Sequence, residues 1–188
     1  RYLPGLCSGK SVGALGLTEP GAGSDAIGSM RTTATRDGDH YLLDGTKLYT
    51  TNGPVADVLL VYAKTNKDKG SKGVSAFIVE KGFPGFKVAQ KLTKMGFRGS
   101  PTGELVFDDC RVPAANLVGQ EGHATICMMR NLELERLTLA AMSLGIARRS
   151  IEIMNRYARE RVSFGKTLDH FGQIQRHIAE SYAEFMAG

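Results

Sequence analysis

No apolar run in the chain approaches the ~20 residues that a membrane-spanning helix requires, the longest lying near residues 58–61, so a soluble chain without membrane insertion is expected. Cysteine is scarce. The three that occur, Cys7, Cys110 and Cys127, are odd in number and far apart. That spacing excludes a disulfide framework or a zinc motif and argues for reduced thiols in an intracellular compartment. The four histidines, His40, His123, His170 and His177, share no ligand spacing, and no metal site is expected. Internal repeats and low-complexity tracts are missing too. There is no start methionine or targeting segment at Arg1, and the last residues fall within a helical pattern, so the chain reads as a piece of something longer.

What is present is ordinary for a globular protein of 188 residues: 42% apolar and 23% charged, enough to bury a real core. The net charge is +5 and the pI about 9.2. Lysine and arginine are interleaved with acidic residues, and no helix-turn-helix, zinc or aromatic RNA-binding signature accompanies them, so no nucleic acid partner is expected. The local excess over residues 64–72 reads as a solvated loop. A modest positive balance also suits a ligand carrying several phosphates.

From residue 12 to about 112 the sequence is strand-like. Residues 30–35 and 40–43 flank an Asp-Gly turn at Asp37-Gly38-Asp39 and predict a hairpin. Asp44-Gly45 predicts a further turn into a strand over 47–51, and runs at 58–65, 74–79, 86–91 and 104–107 follow between Gly, Pro and Asn. Seven or so short strands predict an antiparallel barrel or sandwich. Past Pro113 the texture changes: residues 124–161 carry helical periodicity almost without breakers, and a second helix is expected from near Asp169. The class is therefore α+β, with a middle β-domain over 12–118 and helices of a four-helix-bundle type over 119–188.

Two features carry chemistry. The first is residues 15–25, Leu-Gly-Leu-Thr-Glu-Pro-Gly-Ala-Gly-Ser-Asp, where a short apolar run breaks into a turn. Gly21 and Gly23 permit positive φ and close approach of a ligand, with N–H groups free to face an anion. Thr18 and Ser24 add two hydroxyls. Read alone, the segment is more simply an ordinary surface turn. The second is Glu135. Met128, Leu132, Glu135, Leu139, Met142 and Ile146 follow 4-3-4-3-4 spacing, which places a carboxylate on an apolar helix stripe. Its helix neighbours Asn131, Leu132, Thr138 and Leu139 include no base. Glu133, by contrast, has Arg130 and Arg136 three residues away on either side, and reads as structural. Desolvation among Leu and Met would raise the Glu135 pKa toward a range suited to removing a proton; the alternative is an arginine partner on another helix.

The string Thr18-Glu19-Pro20-Gly21-Ala22-Gly23-Ser24-Asp25, followed by Lys47-Leu48-Tyr49-Thr50-Thr51-Asn52-Gly53, resembles the acyl-CoA dehydrogenase family. The resemblance covers nearly the whole chain. It implies that residues 1–11 end a preceding helical domain and that FAD is the cofactor. Leu15, Leu17, Thr18, Gly23 and Ser24 would then cradle the flavin together with Tyr49, Thr50 and Thr51, Tyr49 standing where an aromatic packs on the ring. Leu134-Glu135-Arg136-Leu137 resembles the isovaleryl-type branch, which carries its catalytic glutamate on this helix. Glu135 would be the base, and Ser24, Glu133, Leu134 and Arg136 would border the acyl-CoA.

Residues 159–166, Arg-Glu-Arg-Val-Ser-Phe-Gly-Lys, are similar to the family segment that reaches a neighbouring subunit's FAD, implying contacts from Arg161, Ser163 and Phe164. Arg161 would meet the pyrophosphate. Read without the family, the same residues are a basic helix end complementing the helix dipole. Gly172 stands where a flavin-contacting glutamine is usual, with Gln173 next to it, and either could make that contact. Ala141-Met142 replaces a pair of small residues. The resemblance implies α,β-desaturation of an acyl-CoA with hydride transfer to flavin N5. It further implies electron-transfer flavoprotein as acceptor and a homotetramer, in the mitochondrial matrix of a eukaryote or the cytoplasm of a bacterium. An oxidase, an enzyme for another chain length or a non-catalytic flavin scaffold on the same fold are the alternatives.

Overall fold

A computed structural model describes residues 1–188, which divide into two compact units, Arg1–Met129 and Arg130–Gly188. The first holds a short helix α1 (Leu3–Cys7) and seven strands. These are β1 (Gly13–Gly16), β2 (Thr33–Asp37), β3 (His40–Thr51), β4 (Val58–Lys64), β5 (Val74–Glu80), β6 (Phe86–Lys91) and β7 (Thr102–Pro113). They form one curled sheet ordered β1-β4-β2-β3-β7-β6, with β5 also on β4. Most pairings are antiparallel; β1 and β2 join β4 in parallel.

β4 reads Val-Leu-Leu-Val-Tyr-Ala-Lys without alternation because successive residues Val61, Tyr62 and Ala63, which point to opposite faces, are all buried. β6 is the opposite case. It lies at the sheet's end, almost wholly exposed, and its Lys87 and Lys91 blunt the free edge. Leu43, Leu59, Val61, Phe77, Val79 and Leu105 are fully buried, and the Tyr41 and Phe77 rings meet at 4.9 Å between centroids. Each such side chain contributes roughly 1.5–3 kcal/mol by leaving water.

The expected hairpin forms, with Asp37 paired to His40 across a two-residue turn whose first position, Gly38, has φ +58°. The turn expected at Asp44-Gly45 does not. β3 instead runs unbroken for 12 residues, because β7 pairs with it along its length and absorbs the irregularity as a register shift between Leu43 and Gly45. Gly45 sits there at φ +147°, where a Cβ would lie 2.5 Å from Thr32 Oγ1. β7 is likewise longer than the expected 104–107.

The long helix α2 (Ala124–Glu160) begins at the end of the first unit, where Thr125 Oγ1 donates to the Ser71 carbonyl at 2.8 Å. The second unit contains the rest of α2, a two-stranded hairpin of β8 (Val162–Ser163) and β9 (Lys166–Thr167), and α3 (Gly172–Ala187). Phe164 and Gly165 turn the hairpin, both with positive φ (+50° and +76°), which matches the strand twist. The second helix starts three residues later than expected: 168–170 is a 3₁₀ turn and Phe171 is extended. Asp169 accepts from Thr167 Oγ1 at 2.5 Å, and its carbonyl accepts from Gln175 Nε2 at 2.8 Å. No helix is long and apolar enough to cross a membrane.

Candidate functional site

The Gly/Ser loop leaves β1 at Gly16 and folds back on itself, the Glu19 and Ala22 backbones exchanging hydrogen bonds of 3.1 Å in both directions. Neither Gly21 nor Gly23 uses a positive φ, contrary to expectation. What their missing Cβ atoms provide is room, with nothing within 4 Å of either position. The amides of Gly21, Gly23 and Ser24 make no hydrogen bond within the chain, and these residues are exposed. A row of free amides beside an open backbone is the arrangement that receives an anion.

Beside this loop, β3 is bulged between Lys47 and Thr50. The bulge turns Tyr49 outward at φ +56°, a conformation costly for an aromatic residue, and leaves it 64% exposed. Thr51 is exposed, whereas Thr50 points inward and is buried, its Oγ1 without a hydrogen-bond partner. Of the expected contact residues, Tyr49 and Thr51 are thus exposed, whereas Thr50 turns its side chain inward and pairs with Gly103 of β7. Leu15 is exposed at its strand and Leu17 and Thr18 are half-buried. Thr18 accepts from the Leu48 amide at 2.8 Å, which brings the two predicted strings together.

Two residues inside those strings form a pair that sequence reasoning passed over. Lys47 is wholly buried and Glu19 is 5% exposed. Lys47 Nζ donates to Glu19 Oε1 at 2.8 Å and to the Leu17 carbonyl at 3.1 Å. Glu19 also accepts from the Arg31 amide (2.6 Å), the Thr32 amide (3.0 Å) and Thr32 Oγ1 (2.5 Å). Burial alone would raise the Glu19 pKa, but the hydrogen bonds from Lys47, Thr32 and Arg31 outweigh it and hold the carboxyl below its ordinary range. The available signal was the period of two along β3: Tyr41 and Leu43 face inward, and Lys47 falls in the same phase.

In the second unit Glu135 is exposed on α2, and so are Leu139, Met142 and Ile146 of its stripe. The desolvation expected of that stripe is not supplied by this chain, because no element of the unit covers it. Glu133 forms no ion pair with Arg130 or Arg136, although Glu152 on the same helix bridges Arg148 and Arg149 at 3.2 and 3.3 Å. All of Glu133, Leu134 and Arg136 are exposed. The β8–β9 hairpin presents Phe164 at its tip, 94% exposed, with Ser163 half-buried behind it. It is braced by Lys166 Nζ, 4.4 Å above the Phe171 ring. Arg161 is exposed and forms no ion pair, leaving its guanidinium free for an anion; Gly172 and Gln173 are exposed at the start of α3.

Models of the acyl-CoA dehydrogenase middle domain and C-terminal domain match residues 14–110 and 125–188. The chain belongs to the acyl-CoA dehydrogenase family, one of flavin-dependent oxidoreductases. It is 50% identical over 182 residues to a mitochondrial 2-methylacyl-CoA dehydrogenase of Solanum tuberosum, covering 97% of this chain and 44% of that protein. Against a mitochondrial isovaleryl-CoA dehydrogenase of Pongo abelii it is 48% identical over 189 residues, covering 100% of this chain and 44% of the relative. The solved butyryl-CoA dehydrogenase of Megasphaera elsdenii superposes with a TM-score of 0.94 at 43% identity, over 99% of this chain and 49% of that one. The chain spans less than half the length of the curated relatives it matches.

The first unit fits a flavin dinucleotide on its own geometry. Tyr49 offers an exposed aromatic face, the loop offers free amides, and Thr18, Ser24 and Thr51 engage their hydroxyls in no hydrogen bond within the chain.

Proposed function

We propose that the protein containing this chain is an FAD-dependent acyl-CoA dehydrogenase acting on a short, branched acyl-CoA of the isovaleryl type. The observation that carries this reading is the open, amide-lined loop held beside an aromatic that a bulge turns outward. The names of the relatives, 2-methylacyl- and isovaleryl-CoA dehydrogenase, support the substrate class. Residues 12–118 are the middle domain, 1–11 the end of a preceding helical domain and 119–188 the first helices of the C-terminal bundle.

Leu15, Leu17, Thr18, Gly23 and Ser24, together with Tyr49, Thr50 and Thr51, would hold FAD. Bound FAD supplies the acceptor for a hydride leaving the substrate's β-carbon. Glu135 takes the proton from the α-carbon, which the thioester carbonyl acidifies once hydrogen-bond donors polarise its oxygen. Ser24 meets the CoA portion, and Glu133, Leu134 and Arg136 flank it. Arg161, free of any carboxylate, is positioned to pair with a pyrophosphate as a guanidinium fork does, with Ser163 and Phe164 beside it on the hairpin that reaches a neighbouring subunit. Either Gly172 or Gln173 completes the flavin contacts. Electron-transfer flavoprotein is the acceptor and the assembly is a homotetramer.

The test is anaerobic bleaching of the flavin in the full-length protein with isovaleryl-, butyryl-, octanoyl- and palmitoyl-CoA, with Glu135→Gln run beside it. Rapid bleaching by isovaleryl-CoA that disappears in the variant is the expected result. Bleaching that survives the variant places the base elsewhere and removes the isovaleryl assignment. A full-length protein that neither carries nor takes up FAD overturns the reading altogether.

A further inference from the structure

The buried pair Glu19–Lys47 takes no part in the chemistry proposed above, yet it fastens backbone at Leu17, Arg31 and Thr32 beside the first unit's site. From one strand, Lys47 Nζ holds the Leu17 carbonyl and the Glu19 carboxylate, while the next residue, Leu48, donates its amide to the Thr18 carbonyl at 2.8 Å. The bulge that turns Tyr49 outward begins at Lys47. On the other side Glu19 fastens residues 31 and 32, the lead into β2, through three further hydrogen bonds of 2.5–3.0 Å. Thr32 Oγ1 in turn lies 2.5 Å from where a Cβ on Gly45 would sit, at the preceding register shift between β3 and β7.

We infer that Glu19 and Lys47 are positioning residues that lock the Gly/Ser loop and the Tyr49–Thr51 bulge into one rigid cradle for the flavin dinucleotide. A buried ion pair is weak evidence for a stability role, since well-packed apolar residues often replace one without loss. The placement of this pair argues for a purpose beyond stability. It bridges two loops, whereas the cluster of Leu43, Leu59, Phe77 and Leu105 is built of apolar side chains. Two residues beyond Lys47, Tyr49 sits in a backbone conformation that an aromatic residue does not adopt without surrounding constraint. Glu19 is therefore a turn residue whose side chain faces inward, and Lys47 a strand residue whose charge lies beneath the surface that the ligand covers. Groups set behind a binding shell in this way change ligand affinity by about 10–100-fold in metal sites, a fair guide to the scale here.

The inference rests on the functional reading above. Its test compares wild type, Lys47→Met, Glu19→Gln, the double variant and Thr32→Val as full-length proteins, reading FAD affinity and the visible circular dichroism of bound flavin alongside thermal stability. The expected result is FAD binding weakened about tenfold or more in each single variant of the pair, with a changed flavin spectrum, and a few-fold loss in Thr32→Val. The double variant decides between positioning and stability. Removing both charges relieves the unpaired buried ion, so thermal stability recovers relative to Lys47→Met, while weak FAD binding and the altered spectrum persist. Recovery of affinity and spectrum together with stability overturns the inference. So does wild-type FAD affinity in Thr32→Val and in whichever single variants fold. A wild-type protein that binds no FAD is a different failure, removing the functional reading and this inference with it.

Discussion

The sheet unit and the helical unit both carry apolar residues in regular patterns, one of period two and one of period about 3.6, and end up in opposite states of burial. In Arg1–Met129 the sheet curls over its own side chains, so that Leu43, Leu59, Phe77 and even Lys47 are at 0% exposure. In Arg130–Gly188 only Ile151 and Ala158 are buried, while Leu134, Leu137, Leu139, Met142 and Ile146 stay exposed. A sheet that curls over its own face supplies both sides of its core. A pair of helices has one shared seam and leaves its remaining apolar faces open. A hydrophobic stripe reports what a segment is able to bury, and burial itself needs a second surface.

The largest effect should come from the unit with the least burial. Glu135→Gln in the full-length protein should lower the rate of substrate-driven flavin bleaching by about 10²–10⁴-fold, the usual contribution of a general base, with little change in the denaturation midpoint. Equal loss of both would assign Glu135 to structure.

The comparison sharpens further in stability. Phe77→Ala should cost about 3–5 kcal/mol in urea unfolding, through lost burial and the cavity left beside Tyr41. Leu137→Ala, 70% exposed, should change the stability of this chain by no more than about 0.5 kcal/mol. Similar costs at both positions would break the contrast between the units.

Glu19 predicts an acid limb. Its folded pKa is depressed, so its ionised form contributes stability above its ordinary value of 4.5, and that contribution is lost as pH falls below 4.5 through the folded value. Thermal melts between neutral pH and pH 3 should fall less steeply in Glu19→Gln than in wild type.

The smallest effect concerns thiols. Cys7 and Cys127 are exposed and should react quickly with a disulfide reagent at neutral pH. Cys110 is buried, and burial, with Asp44 nearby, pushes its thiol up to about 12. It should react only on unfolding. Since this folded pKa is raised, the neutral thiol's contribution to stability is complete below 9.0 and declines from there toward about 12.

The class of each half was legible because strand and helix periods differ. The hairpin at Asp37–His40, the runs at β4, β5 and β6, and a helix from residue 124 all appear where pattern and turn residues place them. The Gly/Ser loop and the Tyr49 string were legible as strings of residues with a known resemblance. Less legible was what each glycine does there: Gly21 and Gly23 leave space without adopting positive φ, while Gly45, at φ +147°, sits where β3 and β7 change register. Bulges arise where two strands of unequal local length are forced into register, and that depends on the partner strand.

Local sequence therefore determined the element types, the order of the two halves and the side chains on offer in the Gly/Ser loop, the Tyr49 string and α2, since spacing and side-chain chemistry travel with the chain. Tertiary structure decided which of them are exposed or paired. It joined Glu19 to Lys47, 28 positions apart, and turned Tyr49 out and Thr50 in. It also left Glu135 in the open, because burial and pairing are properties of two surfaces and a sequence pattern describes only one.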